Sequence, residues 1–102
     1  MIKHIVLWRL KDHAMGASKK ENAQKLKSLL EALRDTIKEI KYLEVGINAK
    51  VLPHTADVAL YSEFASWDAL AAYQQHPAHL KVAGFVQEIR LERHVVDYEI
   101  MS

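Results

Sequence analysis

The spacing of apolar residues along this chain switches between two and three-to-four, and each switch marks an element. Residues 2–10 alternate, with Ile2, His4, Val6, Trp8 and Leu10 on one side and Lys3, Ile5, Leu7 and Arg9 on the other. That pattern predicts a strand with apolar residues on both faces. A polar stretch containing Gly16 then leads to Ser18, with Glu21 three residues on. This Ser-x-x-Glu spacing is a capping box, each side chain satisfying a backbone amide at a helix start. Ala23, Leu26, Leu29, Leu30, Leu33, Ile37 and Ile40 follow at steps of three and four, the stripe of an amphipathic helix reaching Ile40. From Leu43 the period returns to two through Val45, Ile47, Ala49 and Val51, predicting a second strand that ends at Pro53.

After a turn around Pro53, His54 and Thr55, residues 58–65 alternate again as a third strand. Ser66 is placed to cap a second helix from Trp67, with Asp68 in the first turn, where the helix dipole favours negative charge. Pro77 cannot continue that helix but suits the first position of a new one. The helix is therefore expected to break near His76 and restart from Ala78 to Gln87, burying Leu80, Val82, Ala83, Phe85 and Val86. Residues 93–100 alternate as a fourth strand. The order β-α-β-β-α-β predicts an α+β, ferredoxin-like domain spanning residues 1–102, a four-stranded antiparallel sheet with its helices on one face. Helices on one face leave the other bare, yet the first strand is apolar on both sides, with Ile5 and Leu7 one way and Val6, Trp8 and Leu10 the other. A second copy of the chain is the expected cover, giving a homodimer packed sheet to sheet.

Composition narrows the partners. Fourteen Lys and Arg against 13 Asp and Glu give a net charge of +1, too weak a field to hold a polyanion, so nucleic acid is not expected. Cysteine is absent, which removes disulfides, thiolate nucleophiles and sulfur-ligated zinc, and fits a reducing compartment. The apolar run before Arg9 is too short for a signal-peptide core or a membrane span. A cytoplasmic location and no membrane association are the expectation.

The chemistry-bearing stretch is Tyr-Gln-Gln-His-Pro-Ala-His, residues 73–79. His76 and His79 have the spacing of a metal-binding pair, but no third ligand is signalled nearby, and neither a metal nor another cofactor is expected. His76, directly before the proline, reads first as a cap for the restarting helix and second as a substrate-binding side chain. His79 is not explained by capping. Histidine is basic near neutral pH and can remove a proton beside a carbonyl, and the Tyr73 phenol can donate to the enolate that forms. Tyr73 also reads as a packed aromatic. His4 and Trp8, on one face of the first strand, are further binding candidates, His4 reading first as a satisfied buried histidine and second as a binding side chain. His13, His54 and His94 read as solvated.

The opening Met-Ile-Lys-His-Ile-Val-Leu-Trp-Arg-Leu-Lys, the Tyr-x-x-His-Pro-x-His block followed by Phe85 and Val86, and the closing Val-Val-Asp-Tyr-Glu at residues 95–99 together resemble the stress-responsive α/β-barrel domain family, Dabb, of the dimeric α+β barrel superfamily. The resemblance implies a homodimer whose two sheets enclose an α/β barrel. It implies one of three roles: a stress-associated protein binding a small apolar ligand, an enzyme, or a dimerisation module. The enzyme would be a polyketide cyclase-like lyase acting on a polyketide-like ligand, or a cofactorless monooxygenase. Alignment with the family's cyclases carries a catalytic tyrosine and histidine onto Tyr73 and His79. At the third strand the chain departs from some cyclase members, having Asp57 and Val58 in place of a histidine.

Overall fold

The computed structural model describes residues 1–101. Strand β1 (Ile2–Leu10) is followed by a two-residue hairpin, β2 (His13–Ala14) and β3 (Ala17–Ser18). Helix α1 (Lys19–Thr36), strands β4 (Tyr42–Ile47) and β5 (Val58–Phe64), helices α2 (Trp67–Gln75) and α3 (Pro77–Ile89), and strand β6 (Arg90–Glu99) complete the chain. The main sheet runs β4-β5-β1-β6 with every neighbouring pair antiparallel, the ferredoxin-like arrangement. β1 is central, so its inward positions Ile2, His4, Val6, Trp8 and Leu10 are all buried beneath the helices.

The capping box forms as the spacing predicts. Ser18 Oγ accepts from the Glu21 amide at 3.2 Å, and Glu21 Oε1 accepts from the Ser18 amide at 3.0 Å. α1 buries Ala23, Leu26, Leu30 and Leu33 on one stripe. It ends at Thr36, earlier than the apolar pattern implied, because Ile37 turns to an extended conformation while its amide still bonds Leu33 O at 2.9 Å. Ile37 remains buried and Ile40 packs against the core, so both serve packing without being helical. The polar segment before Ser18 holds the small hairpin. Its turn places Met15 and Gly16 at positive φ (53° and 73°), the geometry that matches strand twist in a tight hairpin. Asn22 Nδ2 donates to Ala14 O at 3.0 Å and ties this hairpin to α1.

The second strand is shorter than the alternation suggested. Past Ile47, Asn48 Oδ1 accepts from the Lys50 amide and its Nδ2 donates to Ala56 O at 2.8 Å. A side chain that satisfies backbone groups in this way offers the chain an alternative to the ladder. Residues 48–57 consequently form a loop in which Val51 is exposed.

Helix two breaks where the proline requires. His76, extended at φ −64° and ψ 135°, ends α2 and caps α3, its Nδ1 accepting from the Ala78 amide at 3.0 Å. Pro77 itself opens α3, one residue before the expected restart, since its missing N–H would be unpaired there in any case. From that start the inward stripe is His79, Val82, Val86 and Ile89, at steps of three and four, which turns Leu80 outward to 56% exposure. Leu80, expected in the core, is therefore on the surface.

Candidate functional site

A cavity of about 200 Å³ lies between the inner faces of β1 and β6, helix α3 and the end of α2. It is lined by His4, Trp8, Tyr73, His79 and two arginines of β6, Arg90 and Arg93, among apolar neighbours. Of the five sequence candidates, Tyr73, His79, His4 and Trp8 share this cavity. His76 does not line it: it caps α3, its Nδ1 accepting from the Ala78 amide.

The helix break sets the geometry of the pair. On a straight helix, residues six apart lie about 240° from each other around the axis. Restarting the helix at Pro77 resets that phase, and the rings of Tyr73 and His79 come to 4.5 Å between centroids. Tyr73 packs between Phe64, at 4.9 Å, and His4, at 6.0 Å. It is fully buried, and its hydroxyl has no hydrogen-bond partner among the described residues. Burial pushes the phenol well above its ordinary range, opposed by the positive charge of Arg93, so the group stays protonated and can only donate at neutral pH.

His79 Nδ1 lies 3.1 Å from Gln74 O. A carbonyl can only accept, so Nδ1 carries the proton and Nε2 bears the free lone pair. Half-burial holds the His79 pKa below the usual histidine value. The Gln74 bond opposes that shift, and His4 and Arg93 add to it. The ring is thus neutral, in the form of a base, at neutral pH.

His4 is buried 2% exposed, and its Nδ1 is paired with Asp97 Oδ1. Cα register sets this contact, since His4 of β1 lies opposite Asp97 of β6. Asp97 escaped the sequence reading because it looked like one polar position among several on a terminal strand. Its signal was there: polar residues at inward positions on two strands that the β-α-β-β-α-β order makes neighbours. Trp8 carries a second buried donor, its Nε1, without a partner among the described residues, like the Tyr73 hydroxyl. Two residues of one cavity wall thus carry buried donors without such partners, which is unusual because interiors normally satisfy these groups.

Asp57, which stands where some cyclases have a histidine, is also buried but takes no part in the cavity. Its Oδ2 accepts from the Leu10 amide at 2.8 Å and pairs with Lys19 at 3.5 Å, holding the end of β1. His13, His54 and His94 are all exposed. Among the described residues no helix is long and apolar enough to cross a membrane, and no group of three or more His, Cys, Asp or Glu side chains is arranged to hold a metal.

The family model described as the Stress Responsive A/B Barrel Domain, Dabb, matches residues 2–100. The chain belongs to the Dabb family. A dimeric protein of unknown function with a ferredoxin-like fold from Bacteroides fragilis is similar to this Dabb chain at 35% identity, covering 97% of this chain and 95% of that one, with a TM-score of 0.82. A protein from Arabidopsis thaliana is 27% identical over 100% of this chain and 97% of its own, at a TM-score of 0.79. The hydroxynitrile lyase of Passiflora edulis is similar in fold, at 21% identity and a TM-score of 0.78, covering 98% of this chain and 93% of that one. No curated protein matches the chain in sequence.

Proposed function

We propose that this Dabb protein is a homodimer whose cavity takes a small, largely apolar, carbonyl-bearing ligand and promotes removal of a proton beside the carbonyl. The observation that carries the reading is the pair of unpartnered donors, the Tyr73 hydroxyl and the Trp8 indole N–H, on residues lining the same cavity as a neutral His79. Buried donors without acceptors suit an oxygen supplied by a ligand. A cavity of about 200 Å³ is of the size for one ring with a short substituent, somewhat larger than the roughly 150 Å³ cavity that holds a benzene.

The chemistry follows from the protonation states. His79 Nε2 takes a proton from the carbon next to the carbonyl. The C–H bonding pair becomes the new C=C π bond, and the carbonyl π pair moves onto oxygen. Tyr73 donates to that oxygen as charge develops, which is where a preorganised donor is most effective. The imidazolium then returns its proton to carbon, or to a leaving group in a lyase or cyclase reaction.

The homodimer rests on the bare sheet face and on the dimeric description of the 35% identical relative. Sheet-to-sheet packing buries Ile5, Leu7 and Val96 against their copies.

The test of the chemistry is deuterium exchange at the central carbon of 1-phenylbutane-1,3-dione in D₂O. The protein should accelerate it, and His79→Ala should remove the acceleration while the circular dichroism spectrum stays unchanged. Equal exchange with and without protein would end the catalytic reading.

A further inference from the structure

The β6 wall of the cavity carries two guanidinium groups that the proton transfer does not use, and a backbone irregularity puts them there. In the β1–β6 ladder Arg93 lies opposite Trp8 and Glu92 opposite Arg9, but Leu10 lies opposite Arg90, leaving Leu91 as an extra residue. Residues three apart on a regular strand face opposite sides of the sheet. The bulge at Leu91 cancels that odd step and brings Arg90 to the same side as Arg93, the kind of re-aiming for which bulges are used beside sites. Both arginines line the cavity, while Glu92 between them turns to the other face and pairs with Arg9 at 2.9 Å.

Among the described residues no carboxylate neutralises either cavity arginine. Among the described residues the ion pairs belong to Lys3, His4, Arg9, Lys19 and Lys27, and Arg90 and Arg93 take part in none. The other carboxylate near this wall, Asp97, is occupied by His4. Arg93 is exposed and Arg90 half-buried, so they mark the mouth of the cavity, with Tyr73 and His79 deeper within.

We propose that the ligand carries a carboxylate at the end remote from its carbonyl, held at the mouth by Arg90 and Arg93 while the carbonyl reaches Tyr73 and His79. This rests on the reading of the cavity as a carbonyl-ligand site and specifies the ligand as a small oxo acid. Planar guanidinium groups match a carboxylate fork and gain most where the partner is partly desolvated. A monoanion fits better than a phosphate dianion, because Arg90 caps the C-terminal end of α3, where the last carbonyls direct partial negative charge. A bound carboxylate would also offset the charge of Arg93 near His79, strengthening the base when the ligand is in place.

The test compares 4-acetylbenzoate, which has a ketone at one end and a carboxylate at the other, with its neutral analogue 4-acetylbenzamide and with 4-acetylphenyl phosphate. Binding is measured by calorimetry, and the NMR signals of the His79 ring and Trp8 indole report occupancy of the cavity. The wild-type protein should bind the benzoate roughly tenfold or more tighter than the amide, with the preference shrinking as salt rises. Arg90→Gln with Arg93→Gln should abolish the preference, whereas Arg93→Lys should keep part of it. Equal affinities for acid and amide, with the His79 and Trp8 signals moving for both, would overturn the carboxylate assignment and leave the carbonyl site standing. Tighter binding of the phosphate than of the benzoate would overturn it as well. If no probe moves the His79 and Trp8 signals, the carbonyl reading itself fails and this assignment with it. The acid-to-amide comparison on the wild-type protein decides the matter even should the double variant fold poorly.

Discussion

The two faces of one sheet solve the burial problem in different ways. On the helix side β1 presents Ile2, His4, Val6, Trp8 and Leu10, each at most 4% exposed, beneath α1, α2 and α3. On the other side the same strand presents Lys3, Ile5, Leu7 and Arg9, in the order charged, apolar, apolar, charged. Ile5 lies opposite Val96 and Tyr61, and Leu7 opposite His94 and Ala59. At one end of this row Lys3 bonds Glu63 at 2.8 Å, and Tyr61 donates to the same carboxylate at 2.6 Å. At the other end Arg9 bonds Glu92. An apolar centre with a charged rim is the composition of an interface, not of a solvated face. Over β1 the inner face is closed except for its cavity, and it holds polar groups in need of partners. The outer face pairs the charged ends of β1, Lys3 with Glu63 and Arg9 with Glu92, and leaves apolar area in need of cover. One face therefore suits a small ligand and the other a second copy.

The largest effects should come from substitutions that separate these roles. Phe64→Ala, on the inner face, is expected to cost about 3–5 kcal/mol in chemical denaturation, because it opens a void in a fully buried position. Leu7→Asp combined with Val96→Asp should leave the fold intact by circular dichroism but halve the mass seen in sedimentation. A double variant that stays dimeric would move the second copy away from this face.

A smaller effect, of unusual sign, is expected at Tyr73. Deleting its hydroxyl in Tyr73→Phe removes a buried polar group that has no partner among the described residues and therefore costs free energy. Stability should hold or rise by about 1 kcal/mol while exchange on the diketone falls. A loss of stability would mean that the hydroxyl has a partner, such as an ordered water, and would weaken the case for a ligand oxygen.

The smallest effect is a pH dependence. Burial lowers the His79 pKa in the folded protein, so below the unfolded value of about 6.5 the unfolded chain binds the proton more readily. The contribution of His79 is therefore complete above that pH and is lost progressively as pH falls toward its lower folded value. Glu63 and Glu21, held below the ordinary carboxylate range by their hydrogen bonds, lose their contributions only at more acidic pH. Thermal melts of wild type and His79→Ala from pH 7 to 5 should diverge in slope, the variant being flatter. Parallel slopes would show that His79 is solvated.

Much of this was legible in the order of residues. Ser18 and Glu21 announced α1, Pro77 announced the break, and the two apolar rows of β1 announced a bare face, because caps, proline and side-chain alternation act within a few residues of backbone. The element ends were less legible. Ile37 and Ile40 belong to the apolar stripe of α1 but not to its helix, and Val51 continues an alternation that Asn48 had already ended. In both cases burial and local side-chain hydrogen bonding diverge from the period that suggested them. Leu80 was misplaced for a related reason: apolarity marked it as core, but the phase set at Pro77 gave the inward position to His79.

Sequence alone determined the family, the β-α-β-β-α-β order and the presence of a tyrosine and two histidines around a proline, since local spacing and residue type suffice for these. Tertiary structure decided which groups meet. It gave His4 its carboxylate on Asp97, 93 residues away, left Tyr73 and Trp8 without acceptors, and used one extra residue at Leu91 to turn Arg90 toward the cavity. Such outcomes depend on strand register and on the phase of a restarted helix, and a shift of one residue reverses the face on which a side chain lies. No pattern confined to a single element carries that information, because register is a property of two elements at once.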